Sequence, residues 1–451
     1  MLCRPRPKVL IISTCTAIPV PRSLALDNNI MVTPTTLPCS LPSTPLTITG
    51  TVIPIPAPQF PTSPIVGDVP PPGAPSPGSS PAMVNQWWKT LTSDQQANWP
   101  LAWSNYFGST DGIPAETRDI ANRAKLQYRF SLLIKQYEDP SNKNKSRLLS
   151  QLKVQLIGMS DLWIRLNGQT VTGTLDRHSG LAHLPGISIQ GTAYLMLFNT
   201  EGNGLWAMSI GDPDTAQTIV TTVSGVGRGL NDRLFEDLSN NDATITKIWA
   251  SGGSMDQTAA IVWIGYDAPS SVIDLSSYPP WLTTDQAIAA APNLQLFQEG
   301  LVATHNPGGP VPHMTVIGHS YGAVVIAETT RNGHMLNADD IVFIGCPGVP
   351  VSNAAALIQN SITSSLPAGG TQVWASVTPR DFINLVHPFG NDPMNLAFGA
   401  TLFASDPSGN HGGYWQGIGL TNLADIALGL YDQVTTSSDT SGLRLWLRAW
   451  V

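Results

Sequence analysis

One pentapeptide of the 451-residue chain has the residue types for nucleophilic chemistry: Gly318-His319-Ser320-Tyr321-Gly322. Gly-x-Ser-x-Gly arises easily by chance among 40 glycines, so its flanks must decide. Met314-Thr315-Val316-Ile317 is an apolar, β-prone run that ends at Gly318, and Ala323-Val324-Val325-Ile326-Ala327 reads as helix after Gly322. Strand, tight turn, helix is the context in which a serine stands on a strained turn with its hydroxyl raised above a sheet. The glycines let neighbouring backbone pass close by.

A serine hydroxyl is a weak nucleophile until an imidazole, oriented by a carboxylate, removes its proton. The chain order this turn implies is Ser, then acid after a seventh strand, then His after an eighth. Three histidines follow the serine: His334, His387 and His411. His334 comes too soon, at the end of the nucleophile helix. His411, in Ser408-Gly409-Asn410-His411-Gly412-Gly413-Tyr414, is the favoured base. His387, beside Pro388, is the reserve and otherwise a loop packing residue. Asp381, just after Val373-Trp374-Ala375-Ser376-Val377, is the favoured acid over Asp392 and Asp406; Asp392 precedes Pro393 and reads as a turn former. Asp339 and Asp340 read as capping or solvated residues at the edge of a strand.

Developing oxyanion charge needs two N–H donors. One is expected from Tyr321, the other from Val226 or Gly227 in Ser224-Gly225-Val226-Gly227-Arg228-Gly229; a flexible connection is the plainer alternative for that loop. Tyr266 and Asp267, in Gly265-Tyr266-Asp267-Ala268-Pro269, fall at a strand end where open sheets bind ligands, so they are candidate pocket residues, as is His319. An ordinary turn and a packed histidine are the alternatives.

These residues require strands and helices to hold them. Apolar β-rich runs are predicted at 193–198, 205–210, 218–223, 259–265, 314–317, 340–344, 372–377 and 398–404. The first two flank Asn203-Gly204, a hairpin signal. From the third onward helical segments intervene, which implies a parallel sheet covered on both faces. Residues 86–170 are mainly helical in pattern: Thr92 with Gln95 and Gln96 suits a helix start, Pro114 suits a first turn, and Leu148, Leu149, Leu152 and Leu156 share one face. The expected division is a disordered Pro/Thr/Ser-rich tail over 1–82, a helical cap or brace over 83–185, and a catalytic domain over 186–451.

The tail holds 19 of the 38 prolines, and its role is a spacer or tether, or none. Residues 1–20 have the order of a weak signal segment, basic then apolar. Charged residues are 12% of the chain, about half the usual share, which leans towards a secreted, envelope or particle-associated protein. Net charge −8 with no basic stripe argues against nucleic acid. No run is long enough for a transmembrane helix. Cys3, Cys15, Cys39 and Cys346 offer no zinc or disulfide framework. No metal or cofactor is expected.

The chain from Trp87-Trp88 to about Tyr414 resembles the largely actinobacterial α/β hydrolases long catalogued as a domain of unknown function. The likeness rests on Asp111-Gly112-Ile113-Pro114, Arg118 with Ala121-Asn122-Arg123, Gly211-Asp212-Pro213-Asp214-Thr215, Gly265 to Pro269, the Ser320 pentapeptide, Asp381, Phe398-Gly399-Ala400, and His411 with Tyr414. It implies an α/β-hydrolase fold, a mostly parallel eight-stranded sheet flanked by helices, behind a helical N-terminal region. Ser224-Gly225-Val226-Gly227 departs from the Pro-Gly-Thr-Gly type loop of relatives, and the tail has no counterpart. The resemblance leaves the substrate open; the triad and the fold lead to the expectation of hydrolysis of a small-molecule or lipid carboxylic ester through an acyl-enzyme. An acyltransferase with the same triad and a catalytically silent binding or structural module are the alternatives.

Overall fold

The structure, a computed structural model, describes residues 69–167, 192–269, 283–306, 309–363, 365, 370–385 and 387–437. The tail to residue 68, with its signal-like segment, and the expected boundary near 185 lie outside the described residues.

Eight strands form one sheet in the order β1-β2-β4-β3-β5-β7-β9-β10. They are β1 (Ala193–Asn199), β2 (Leu205–Ile210), β3 (Thr218–Val223), β4 (Thr258–Ile264), β5 (His313–His319), β7 (Asp340–Ile344), β9 (Gln372–Ser376) and β10 (Thr401–Leu402). Between them, β6 (Leu336–Asn337) and β8 (Ser361–Ile362) pair as a small separate ribbon. β1 and β2 form the expected antiparallel hairpin, and β2 joins β4 antiparallel; every later pairing is parallel. β4 is buried at every position, as a central strand with helices on both faces must be. On one face Leu294 and Phe297 of helix Asp285–Thr304 pack with Val324 and Val325 of helix Tyr321–Glu328. On the other, Ile248 of helix Leu234–Ala250 meets Leu423 and Ala427 of helix Gly417–Ala427.

The N-terminal region is helical. Thr92 and Gln95 make a reciprocal capping box at the start of Ser93–Ala102, and the next long helices are Ala115–Glu138 and Ser146–Asn167. Pro114 sits at the cap, one residue before the first turn expected for it. Helix Ala115–Glu138 covers the outer edge of β1, whose backbone groups would otherwise face an open template. Asp119 accepts from the Leu195 amide at 2.7 Å, the buried Asn122 donates to the Leu195 carbonyl at 2.9 Å, and Arg123 donates to the Ala193 carbonyl at 2.9 Å. Asp214, in the loop after β2, ties that helix down by accepting from the Ala115 amide at 2.7 Å. Burial, opposed by its donors, pushes the Asp214 carboxyl up to about 6.

Two expectations change. The eighth strand is reduced to Thr401–Leu402, because Leu396–Phe398 closes as a 3-10 turn capped by the Asn395 side chain and ended by left-handed Gly399. Asp339 and Asp340 are buried, not solvated. Asp340 accepts from Trp374 Nε1 at 2.8 Å and the Tyr431 hydroxyl at 3.2 Å, and lies 2.6 Å from His313 Nε2. Asp339 accepts from the Met314 and Ser365 amides at 2.8 and 3.0 Å. This network sits where the parallel strands β5 and β7 begin, opposite the edge where they end in the candidate site.

Candidate active site

Ser320 occupies a sharp turn between β5 and helix Tyr321–Glu328, with φ 57° and ψ −128°. A non-glycine residue there carries backbone strain, of the kind that persists where surrounding structure over-determines it. The over-determination is visible. The Ser320 amide donates to the Ile344 carbonyl at 3.1 Å, and a Cβ on Gly322 would lie 2.0 Å from the Val223 carbonyl oxygen. Only glycine lets the helix start abut the end of β3.

Asp381 and His411 meet. His411 Nδ1 lies 2.8 Å from Asp381 Oδ2, so the imidazole donates its Nδ1–H and presents Nε2 elsewhere. The carboxylate is fully buried, and it also accepts from the Tyr414 hydroxyl at 2.5 Å and the Ile383 amide at 2.9 Å. Burial alone would push its pKa up; hydrogen bonding and charge from His411, then Tyr414 and the Ile383 amide, outweigh it and hold Asp381 below the ordinary carboxylate range. Gly345, at the end of β7, packs beneath the pair: a Cβ there would lie 2.9 Å from Asp381 Oδ2 and 3.1 Å from His411 Cε1. His411 remains about a third exposed at its side chain. Among the described residues, no hydrogen bond joins its ring to the Ser320 hydroxyl. That link is open, as nucleophile–base contacts often are without substrate.

His319 lies behind the serine. Its Nε2–H donates to the His411 carbonyl at 2.7 Å, its ring lies 4.7 Å from that of His411, and Trp415 meets it edge-on at 5.1 Å. Burial, then the neighbouring His411, lowers its pKa to about 3, so it is a neutral ring that anchors the His411 backbone. It is buried and packed against His411, Tyr414 and Trp415.

The loop after β3 is anchored, not flexible. Ser224 donates to Asp237 at 2.8 Å, the Ser224 carbonyl accepts from the Tyr266 hydroxyl at 2.7 Å, and buried Arg228 pairs with Glu236 and Asp237 at 2.8 and 3.5 Å. The Gly227 amide donates to the Pro269 carbonyl at 2.7 Å, which removes it as an oxyanion donor in this arrangement. The amide of Val226 has no protein acceptor among the described residues. The Tyr321 amide is the first of its helix and has no intrahelical partner. Gly225 is closest to the nucleophile: a Cβ there would lie 2.8 Å from Ser320 Cβ and 3.1 Å from Oγ.

The remaining candidates do other work. Tyr266 is buried, braces the loop through its hydroxyl, and stacks between Trp263 and Tyr321 at 6.1 and 6.4 Å. Asp267 is exposed and accepts from the Asn203 amide at 2.9 Å, fastening the β1–β2 hairpin instead of facing substrate. His387 lies 3.4 Å from Asp392, not near Asp381, and Asp392 also accepts from the Met394 amide as a turn former does. His334 contacts Gln295 at 2.9 Å, and Asp406 closes an exposed turn with Ser408. A cleft of about 720 Å³ lies elsewhere, between the N-terminal helices and the ends of β1, β2 and β4; Tyr106, Arg118, Lys125, Trp263 and Phe297 line it, and no residue of the Ser320 cluster does. Tyr414 and Gly225 are the site residues to which the sequence assigned no role; Tyr414 entered only as part of the motif around His411, and Gly225 only through its nearness to Val226.

A mostly parallel eight-stranded sheet with a strained serine at the end of its fifth strand defines the α/β-hydrolase class. Comparison with known proteins agrees: the family described as alpha/beta hydrolase matches residues 199–390. The uncharacterized protein Rv0963c of Mycobacterium tuberculosis is 30% identical over 221 residues, 46% of this chain and 77% of that protein. The uncharacterized protein Rv2079 of the same organism is 25% identical over 418 residues, 84% of this chain, which spans 60% of that relative's length. The chain belongs to the α/β-hydrolase family. Among solved structures, a putative esterase from Staphylococcus aureus is similar at a TM-score of 0.31 and 8% identity, over 67% of this chain and all of that one. Carboxyl esterase 2 from Tuber melanosporum is similar at 0.33 and 14%, over 56% and 89%. No helix of the described residues is long and apolar enough to cross a membrane.

Proposed function

We propose that the protein is a serine hydrolase that cleaves small-molecule or lipid carboxylic esters through an acyl-enzyme. Ser320 Oγ attacks the carbonyl carbon while His411 takes its proton, and Asp381 holds the imidazole in the tautomer that leaves Nε2 as acceptor. The amides of Tyr321 and Val226 receive the oxyanion. Collapse expels the alcohol, which takes the proton from His411; water then enters by the same route and releases the acid. The observation that carries this reading is the pairing of buried Asp381 with His411 at 2.8 Å, beside a serine held at φ 57°. The helical segment before the sheet serves as a brace of the β1 edge.

Labelling by a fluorophosphonate tests the reading, with Ser320→Ala and His411→Ala beside the wild type. Labelling of the wild type that is lost in both variants is the expected result. A folded wild type that stays unlabelled would overturn it and leave a catalytically silent module in its place.

A further inference from the structure

Two aromatic rings touch the candidate base, and they differ in kind. His319 is buried; Phe382, 6.1 Å from His411 at 44°, is 62% exposed. A single exposed apolar side chain needs no explanation by itself. This one follows the acid directly, begins the 3-10 turn Phe382–Leu385, and stands against the imidazole that must meet substrate. The turn is fixed by the same carboxylate, since Asp381 Oδ1 accepts from the Ile383 amide at 2.9 Å. The turn that carries the ring is therefore fixed by a hydrogen bond of the candidate acid, and the ring lies against His411 with most of its surface in water.

We infer that Phe382 forms the apolar wall of the leaving-group side of the site and selects esters of large apolar alcohols, such as benzyl, over those of small ones, such as methyl. This rests on the ester-hydrolase reading above. The chemistry fixes which half of the ester meets the ring. As the Ser320 Oγ–acyl bond forms and the acyl carbon–alkoxy oxygen bond breaks, the proton taken from Oγ passes from His411 to the departing oxygen. The alcohol must therefore leave past the imidazole, and a ring packed on that imidazole touches the alcohol. The acyl group, held at Ser320 and the oxyanion amides, is on the other side of the bond. Covering an exposed phenyl ring with an apolar alcohol removes both from water, and does so as acylation begins.

The test uses two esters with one acyl group, benzyl butanoate and methyl butanoate, which pass through the same acyl-enzyme. Wild type, Phe382→Ala and Phe382→Leu are compared by kcat/KM, with fluorophosphonate labelling as the control for an active serine. In Phe382→Ala the benzyl-to-methyl ratio should fall about tenfold, the scale of an apolar pocket contact, with the benzyl ester losing more than the methyl ester. Phe382→Leu should restore most of the ratio. An unchanged ratio overturns the inference, as does an equal fall on both esters, which would make the ring a mere support for His411. A wild type that labels but cleaves neither ester overturns it too. A wild type that neither labels nor cleaves defeats the hydrolase reading itself.

Discussion

Acidification should destabilise this protein through one buried imidazole, and His319→Gln should remove that sensitivity. His319 is 7% exposed, and its pKa is lowered from 6.5 to about 3, first by burial and then by His411. The sign follows from linkage. Below pH 6.5 the unfolded chain binds a proton that the folded ring refuses, so stability is full above 6.5 and declines as pH falls towards 3. Within that window each pH unit costs about 1.4 kcal/mol, so the contribution of His319 is about 2 kcal/mol less favourable at pH 5 than at pH 7. His313 acts in the opposite sense. Burial lowers its pKa, but Asp340 and Asp339 outweigh burial and raise it, giving stability present below 6.5 and lost as pH rises through the raised value. That effect and those of the carboxylates cancel when wild type and variant are compared at one pH. Glutamine keeps an N–H to offer the His411 carbonyl and has no proton to gain. Urea unfolding of both proteins at pH 7 and pH 5 reads the difference. The stability advantage of wild type over His319→Gln should shrink by about 2 kcal/mol on acidification. A difference that stays constant would refute the claim that His319 is folded as a buried neutral ring.

Two further variants probe the site. Tyr414→Phe conserves volume at a buried position and deletes one donor to the Asp381 carboxylate. It should lower stability by about 2 kcal/mol, the scale of a hydrogen bond to a charged group, seen as a lower urea midpoint with activity reduced and not abolished. Gly225→Ala would bring a methyl 2.8 Å from Ser320 Cβ, so the nucleophile or the loop must move. Its kcat should fall by about 100-fold, the scale of one lost oxyanion donor, with thermal unfolding little altered.

The legibility of the sequence varied with how local the determining physics is. β3 runs over the residues expected of it because Thr218-Ile219-Val220-Thr221-Thr222-Val223 is a β-branched block with glycine beyond it. The Thr92 capping box is equally local, formed by residues three apart. The eighth strand was overread because apolar content over 398–404 cannot reveal that Asn395 caps a turn just before it. Asp340 was misread because its partners His313, Trp374 and Tyr431 lie 27, 34 and 91 positions away, and nothing near it announces burial. The same holds for Gly227 and Asp267, whose backbone and side-chain partners, Pro269 and Asn203, come from other loops. Ser320, Asp381 and His411 were nominated by chain order, and the acid and base do pair. Tyr414, 33 residues from the carboxylate it donates to, could be named only as part of a pattern.

The account turns on whether an acyl group is transferred to Ser320. Mixing the protein with a p-nitrophenyl ester, quenching in acid within the burst and mapping the acylated peptide answers this directly. The account predicts a burst of about one p-nitrophenol per active site, as an accumulating acyl-enzyme gives, with the acyl group on Ser320 and neither burst nor acylation in Ser320→Ala. Acylation at another residue, or turnover undiminished in Ser320→Ala, would contradict it.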